Sequence, residues 1–524
     1  MKSLPSFFYW LLPLVVTFSC GKAPSDTANE SQSADEASIT IQASDKKQTI
    51  RNFGASDAWV CQFVGQWPDE KRNQVADWLF STEMDEKGQP KGIGLSIWRF
   101  NIGAGSAAQG NISDPWRRTE GFLNADGKTY DWSRQAGQRW FLQAAKQRGV
   151  DQFLGFTNSP PVQMTKNGNA YSSQGDQANI APEKYDAFVT FLADVVKHLG
   201  QKEGFPMHYL SPFNEPQWDW TGNNQEGTPY TNQQMYDITR KLDSVLTVEK
   251  LSTKIQIAEA GKINYLYELA DKPTRGNQIE EFFSPGSSRY VGNMAHVDKV
   301  ISAHSYFTTM PTQEMKAMRQ TLQQKVKSIG KGLEYWQSEY CILGDQEEIP
   351  GAGKDTGINP ALYVARLVHF DLTEAQASAW HWWLSLTAYD YKDGLVYVDK
   401  NAVDGKVEDS RLLWALGNFS RFIRPGAVRV GLESKGIRMD DPNGMMASAY
   451  VHEADKKLVT VLINYGHQAI ETKVQAAGVE VPSFQPYITS GQAGEQLKPL
   501  PVVKPGERLS LPPRSILTLV GDMQ

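Results

Sequence analysis

From about residue 51 onward, short apolar runs alternate with amphipathic stretches. Each run closes on small or polar residues, as a buried strand does where it meets a loop. Strands are expected over residues 51–59, 95–103, 153–158, 209–214, 254–259, 299–306, 334–339 and 378–384. The spacing predicts helices between them. Residues 69–81 carry Val75, Trp78 and Leu79 on one face. Residues 131–148 open on an Asp cap, and 182–199 open on a first-turn proline. Residues 231–246, 313–329 and 361–375 complete the clearest set. Eight strands alternating with helices imply an α/β fold, a (β/α)8 TIM barrel over residues 51–424. The competing doubly wound sheet often carries a Gly-rich phosphate turn, and no GxGxxG follows a strand.

The texture changes at Arg424-Pro425-Gly426. Beyond it, alternating runs at 427–430, 445–451, 458–464, 471–475 and 515–520 are separated by Gly, Pro, Asp and Asn. This pattern predicts an antiparallel β-sandwich over residues 425–524. Residues 38–50 alternate in the same way and are expected to add one or two strands to it. The small domain then uses both ends of the chain.

The N-terminus reads differently. Lys2 precedes an uncharged apolar stretch that ends in Ser19-Cys20-Gly21. Residues 1–20 read as a secretory signal of the bacterial lipoprotein type, with Cys20 lipidated and the protein anchored to the outer membrane. Residues 21–37 lack large apolar side chains and are expected to form a disordered tether.

Composition narrows the function. The 524 residues carry 53 Lys+Arg against 59 Asp+Glu, a net charge of −6. That mild acidity offers no footprint for nucleic acid. Three cysteines cannot build a disulfide framework. With eight His and no HExxH, metal catalysis is not expected, and no cofactor is called for. Aromatic residues make up 11% of the chain, and many Trp fall near expected strand ends.

Active sites of such barrels lie at the C-terminal ends of the strands. Strand four ends in Asn214-Glu215-Pro216, and strand seven in Trp336-Gln337-Ser338-Glu339. Strand two carries Arg99, strand six His304 and Tyr306, and strand eight Trp380, Trp382 and Trp383. Two glutamates at strand ends amid aromatics form the constellation for glycoside hydrolysis. One carboxyl must give a proton to the leaving oxygen while the other attacks the anomeric carbon. Glu259 also ends a strand, where a supporting polar role is expected. Cys341 is expected to be a buried, inert thiol. His304 is a candidate for sugar contact or for a satisfied structural histidine. Trp59, Trp218, Trp220, Trp380, Trp382 and Trp383 are candidates for stacking on sugars or for packing, with Trp59, Trp218 and Trp382 taken as sugar contacts.

These motifs, in order and one per strand, resemble those of glycoside hydrolase family 30 over nearly all of residues 38–522. The resemblance implies that Glu215 is the acid/base and Glu339 the nucleophile of a retaining enzyme. It implies that Asn214 binds the sugar 2-hydroxyl, that Arg99 pairs with the nucleophile, and that Tyr306 places a hydroxyl beside it. Asn158 stands where a Trp often precedes Ser-Pro, so the sugar site is expected to be shaped differently. The stretch Phe53-Gly54-Ala55-Ser56-Asp57-Ala58-Trp59 looks most like the endo-β-1,6-galactanase branch. Xylanase, β-1,6-glucanase and exo-β-glycosidase activities are the family alternatives, and a catalytically dead glycan-binding lipoprotein is the alternative class. The expected partner is a polysaccharide or oligosaccharide, and the expected state is a monomer.

Overall fold

The computed structural model describes residues 37–344 and 346–524. The expected signal sequence with Cys20 and residues 21–36 of the expected tether lie outside them. The first strand, β1 (Ser38–Thr49), precedes the barrel. The barrel strands are β2 (Asn52–Ser56), β3 (Ile97–Asn101), β4 (Gln152–Phe156), β5 (Tyr209–Ser211), β6 (Lys254–Ala260), β7 (Val297–His304), β8 (Glu334–Glu339) and β9 (Ala379–Thr387). Neighbours pair in parallel, and β9 pairs with both β8 and β2, which closes an eight-stranded barrel. Two strands follow the barrel on its outer edge. β10 (Gly394–Val398) runs parallel to β9, and β11 (Val407–Asp409) returns antiparallel to β10.

Alternation along each strand sorts side chains between interior and helix layer. On β3, Trp98 packs against Phe80 and Phe141 of the surrounding helices, while Arg99 points inward over the Phe156 ring, 4.6 Å away. On β9, Trp380 faces outward and donates to Asp371 of the helix Ile358–Thr373.

One helix start differs from expectation. Asp131 does not cap a helix; it accepts from the Ser133 backbone and hydroxyl. The helix begins at Ala136, after Gln135 in a left-handed conformation. The intervening turn is held by Glu120, which accepts from the Gln135 N–H. Thr231 does cap its helix, in a capping box with Gln234.

The remaining strands are β12 (Val428–Lys435), β13 (Met445–His452), β14 (Lys457–Asn464), β15 (Ile470–Ala477), β16 (Phe484–Ser490), β17 (Lys498–Pro499), β18 (Arg508–Leu511) and β19 (Ser515–Asp522). They form one nine-stranded sheet with β1, in the order β17-β16-β19-β14-β13-β12-β1-β15-β18. The sheet is mixed rather than wholly antiparallel. β1 enters between β12 and β15, antiparallel to the first and parallel to the second. Its strands share one apolar core, including Ile39, Leu462, Leu511 and Leu517. Their other face meets the barrel. Met446, Tyr450, Val461 and Ile516 belong to the barrel's core cluster, whereas Met445, Ala447 and Leu458 belong to the sheet's own. Burial on both faces explains the near-continuous apolar texture of β13 and β14.

Candidate active site

A cleft of about 720 Å³ opens at the C-terminal ends of the barrel strands, and Asn214, Glu215, Tyr306 and Glu339 line its floor. Glu215 sits just past β5 with φ 43°, in the left-handed region. Its N–H donates to the Glu259 carbonyl, and its own carbonyl accepts from the Trp218 N–H and the Trp220 indole. Strained backbone of this kind persists where the surroundings over-determine it. Glu339 ends β8, and one oxygen of each glutamate lies within 4.8 Å of the other.

The two carboxyls share a buried network. Arg99 donates to Glu339 Oε2 and to Glu259 Oε2, each at 3.2 Å. His304 Nδ1 lies 3.0 Å from Glu215 and 3.4 Å from Glu339, and its Nε2 lies 3.1 Å from Glu259. Tyr306 donates its hydroxyl to Glu339 Oε1 at 3.0 Å. Burial alone would depress the His304 pKa, but the facing carboxylates of Glu339, Glu215 and Glu259 raise it to about 10. His304 is therefore an imidazolium that donates from both nitrogens. Burial pushes the Glu259 carboxyl up, yet His304 and Arg99 hold it down at about 2. Glu339 is raised, first by burial and then by the charges of Glu215 and Glu259, against the pull of His304 and Arg99. Three carboxyls thus face two cations, and one carboxyl can hold a proton without leaving net charge.

The aromatic walls come from several loops. Trp218 lies against Gly261, where a Cβ would meet its indole nitrogen at 2.6 Å. Trp220 lies as closely over Gly227. Glycine is required at both places by close approach. Phe307, 58% exposed, meets Trp218 edge-on, and the Lys262 ammonium stands 5.4 Å and 5.5 Å from those two rings. On the opposite side, Trp59 and Trp383 pack edge to face at 5.5 Å, and Arg117 lies 4.7 Å over Trp59.

Of the residues singled out from sequence, the cleft brings together Glu215, Glu339, Asn214, Tyr306, Trp59 and Trp218, with Arg99 and His304 directly behind the glutamates. Asn214 keeps a buried Oδ1 without a partner. Asn158 is buried but does not line the cleft. Trp382 is fully buried, stacks on Trp380 and donates to the Asp393 carbonyl, so it belongs to the packing layer. Its neighbour Trp383 faces the cleft instead. The pairing of β2 with β9 skips Trp383, matching Ala55 to Trp382 and Ser56 to Leu384. Cys341 also lines the cleft, with its sulfur 3.7 Å from the Tyr306 hydroxyl, and burial pushes its thiol well up. Cleft residues that the sequence did not single out include Arg117, Lys262, Phe307 and Asp393. Lys262, Phe307 and Asp393 stand on loops and Arg117 on a single 3-10 turn, where no periodicity marks orientation.

Residues 36–397 match the model of O-glycosyl hydrolase family 30. An endo-beta-1,6-galactanase of Hypocrea rufa is 25% identical over 486 residues, covering 88% of this chain and 89% of that protein. A conserved exported protein from Bacteroides fragilis superposes with a TM-score of 0.87 at 34% identity, over 92% of this chain and all of that one. The catalytic domain of a GH30 xylanase from Talaromyces cellulolyticus gives a TM-score of 0.67 at 24% identity, over 92% of this chain and 99% of that domain. With its closed barrel, attached sheet and paired strand-end glutamates, the chain belongs to glycoside hydrolase family 30 and is an O-glycosyl hydrolase.

Proposed function

We propose that this hydrolase cleaves internal β-1,6-galactosidic bonds with retention of configuration. The observation that carries the mechanism is the approach of the Glu215 and Glu339 oxygens to within 4.8 Å. Retaining enzymes space their carboxyls about 5–5.5 Å apart, whereas inverting enzymes leave room for a water between them. The surroundings divide the roles. Glu339 accepts from Arg99 and Tyr306, which favours its ionised form, whereas Glu215 meets His304 Nδ1 at 3.0 Å and neither of those two donors.

Glu339 attacks the anomeric carbon as the bond to the glycosidic oxygen breaks. Glu215 gives that oxygen its proton, and the departing sugar leaves as an alcohol. Glu215, now ionised, takes a proton from water, which displaces Glu339 from the anomeric carbon and releases the sugar. Asn214, with its free Oδ1, faces the reacting sugar.

The galactan assignment draws on the similarity to the Hypocrea rufa protein over 88% of this chain and on the stretch Phe53-Gly54-Ala55-Ser56-Asp57-Ala58-Trp59, whose Trp59 lines the cleft. Aromatic surfaces on both sides of the carboxyls favour internal cleavage. The test offers the purified protein β-1,6-galactan, arabinogalactan, xylan and β-1,6-glucan, with Glu339→Gln beside it. Oligosaccharides from β-1,6-galactan, released first as the β-anomer by NMR and missing from the variant, are expected. Products from xylan alone would overturn the substrate, and an initial α-anomer would overturn the mechanism. We also propose that Cys20 carries a lipid anchor; Cys20→Ala should move the protein from the membrane fraction to the soluble one.

A further inference from the structure

The two ends of the cleft are built differently. Trp218, Lys262 and Phe307 come from the segments after barrel strands four to six, on the side of Glu215. Trp59, Arg117, Trp383 and Asp393 come from segments belonging to strands one, two and eight. On the reading proposed above, the leaving oxygen takes its proton from Glu215. The departing sugar therefore lies against Trp218 and Phe307, and the sugar bonded to Glu339 extends toward Trp59 and Asp393.

That donor end carries buried polar atoms with no partner: Trp59 Nε1, Arg117 Nε and Asp393 Oδ1. Buried groups in native proteins are nearly always paired, so such exceptions need an explanation. Arg117 is held between the rings of Trp59 and Tyr389, at 4.7 Å and 5.2 Å. Asp393 is 7% exposed, and its backbone carbonyl is fixed by the Trp382 indole at 2.9 Å. Burial raises its carboxyl to about 6, against a hydrogen bond from Thr387. Two donors and one acceptor beside the edge-to-face Trp59–Trp383 pair match a sugar ring, which offers hydroxyls at its rim and C–H groups on its face.

We infer that Asp393 is a specificity-determining residue of the donor-side subsite, where its Oδ1 accepts a hydrogen bond from a hydroxyl of a neutral sugar. Trp59 Nε1 and Arg117 Nε donate to neighbouring oxygens of the same sugar. A site built to hydrogen-bond a hydroxyl rejects analogues that lack it, because its buried atoms are then left unpaired.

The experiment compares wild type, Asp393→Ala, Asp393→Asn and Glu339→Gln on the hydrolysed polymer. It repeats the comparison on oligosaccharides lacking one hydroxyl at a time on the donor sugars. For Asp393→Ala, kcat/KM is expected to fall about 10- to 150-fold, the range for a hydrogen bond to a charged group. One deoxy substrate should cost the wild type a similar factor and Asp393→Ala nothing further, as a shared interaction requires. Asp393→Asn, which keeps an acceptor and the side-chain volume, should recover part of the loss and serves alone if the alanine variant does not fold. A purely structural role would leave every deoxy penalty unchanged. That result, or an Asp393→Ala enzyme within about twofold of wild type, overturns the inference. If this happens while wild type is active and Glu339→Gln is dead, the hydrolase reading stands without it. A wild type inactive on every polymer overturns both.

Discussion

At the residue scale, the chemistry depends on how five buried groups share charge. Glu339 and Glu215 differ in their neighbours more than in their burial. Glu339→Gln removes the nucleophile, and turnover on any glycoside should drop on the order of 10⁴-fold or more. Glu215→Gln should cost about 10²–10⁴-fold on polymer, yet much less on aryl glycosides whose leaving group needs no proton. Steady-state rates on both substrate types separate these outcomes. Equal losses on both types would remove Glu215 from its role. Glu259 touches no leaving group, but it anchors both Arg99 and His304. Glu259→Gln leaves two buried cations short of a partner, and stability should fall by about 3–5 kcal/mol. Urea denaturation would measure it.

At the scale of elements, Asp57 follows β2 and Glu226 joins two loops. Burial raises the Asp57 carboxyl to about 8 from an ordinary 3.8, so the folded protein holds a proton there that the unfolded chain releases. This contribution is complete below pH 3.8 and is lost as pH rises through about 8. Within that window the site lowers stability by about 1.4 kcal/mol per pH unit. Asp57→Asn should flatten the wild type's decline between pH 5 and 8 in denaturant titrations, and an unchanged slope would place the proton elsewhere. Glu226 is buried and accepts from the Ala104 and Ser106 N–H groups and the Thr119 hydroxyl. It pins the loop after β3 to the loop that carries Trp218 and Trp220. Glu226→Ala should free both, raise KM about tenfold and open residues 104–121 to proteolysis. Intact peptides after limited trypsin treatment would argue against this.

At the scale of the molecule, the catalytic barrel and the mixed sheet are one packed body. Asn418, on the helix Arg411–Ser420, donates to the Thr518 hydroxyl and to the Tyr487 carbonyl, which ties barrel to sheet. β1 completes the sheet from the far end of the chain, with pairing on both of its edges. A chain shortened to begin at residue 51 leaves β12 and β15 with open edges, which are templates for association. It should aggregate, while a chain begun at residue 37 stays dispersed. Light scattering on the two proteins decides this.

The amino-acid sequence by itself determined the barrel, because strand and helix periods alternate eight times. It also determined the glutamate pair, because both carboxyls stand in motifs at strand ends, where a barrel places its chemistry. Arg99 and Tyr306 were legible through the resemblance to the family's motifs, Arg99 on β3 and Tyr306 two residues past the end of β7. Only the tertiary structure decided which tryptophan faces the cleft, since a register skip at Trp383 reverses the assignment to Trp382. Only it set β1 parallel to β15, because strand order depends on long-range pairing that no local pattern encodes. β16 escaped the sequence reading because Pro486 interrupts its run, and β18 because it is only four residues long. Arg117, on a single 3-10 turn, and the loop residues Lys262, Phe307 and Asp393 lay beyond periodicity altogether. A loop side chain takes its direction from the neighbours it meets, and those neighbours are brought together only when the barrel closes.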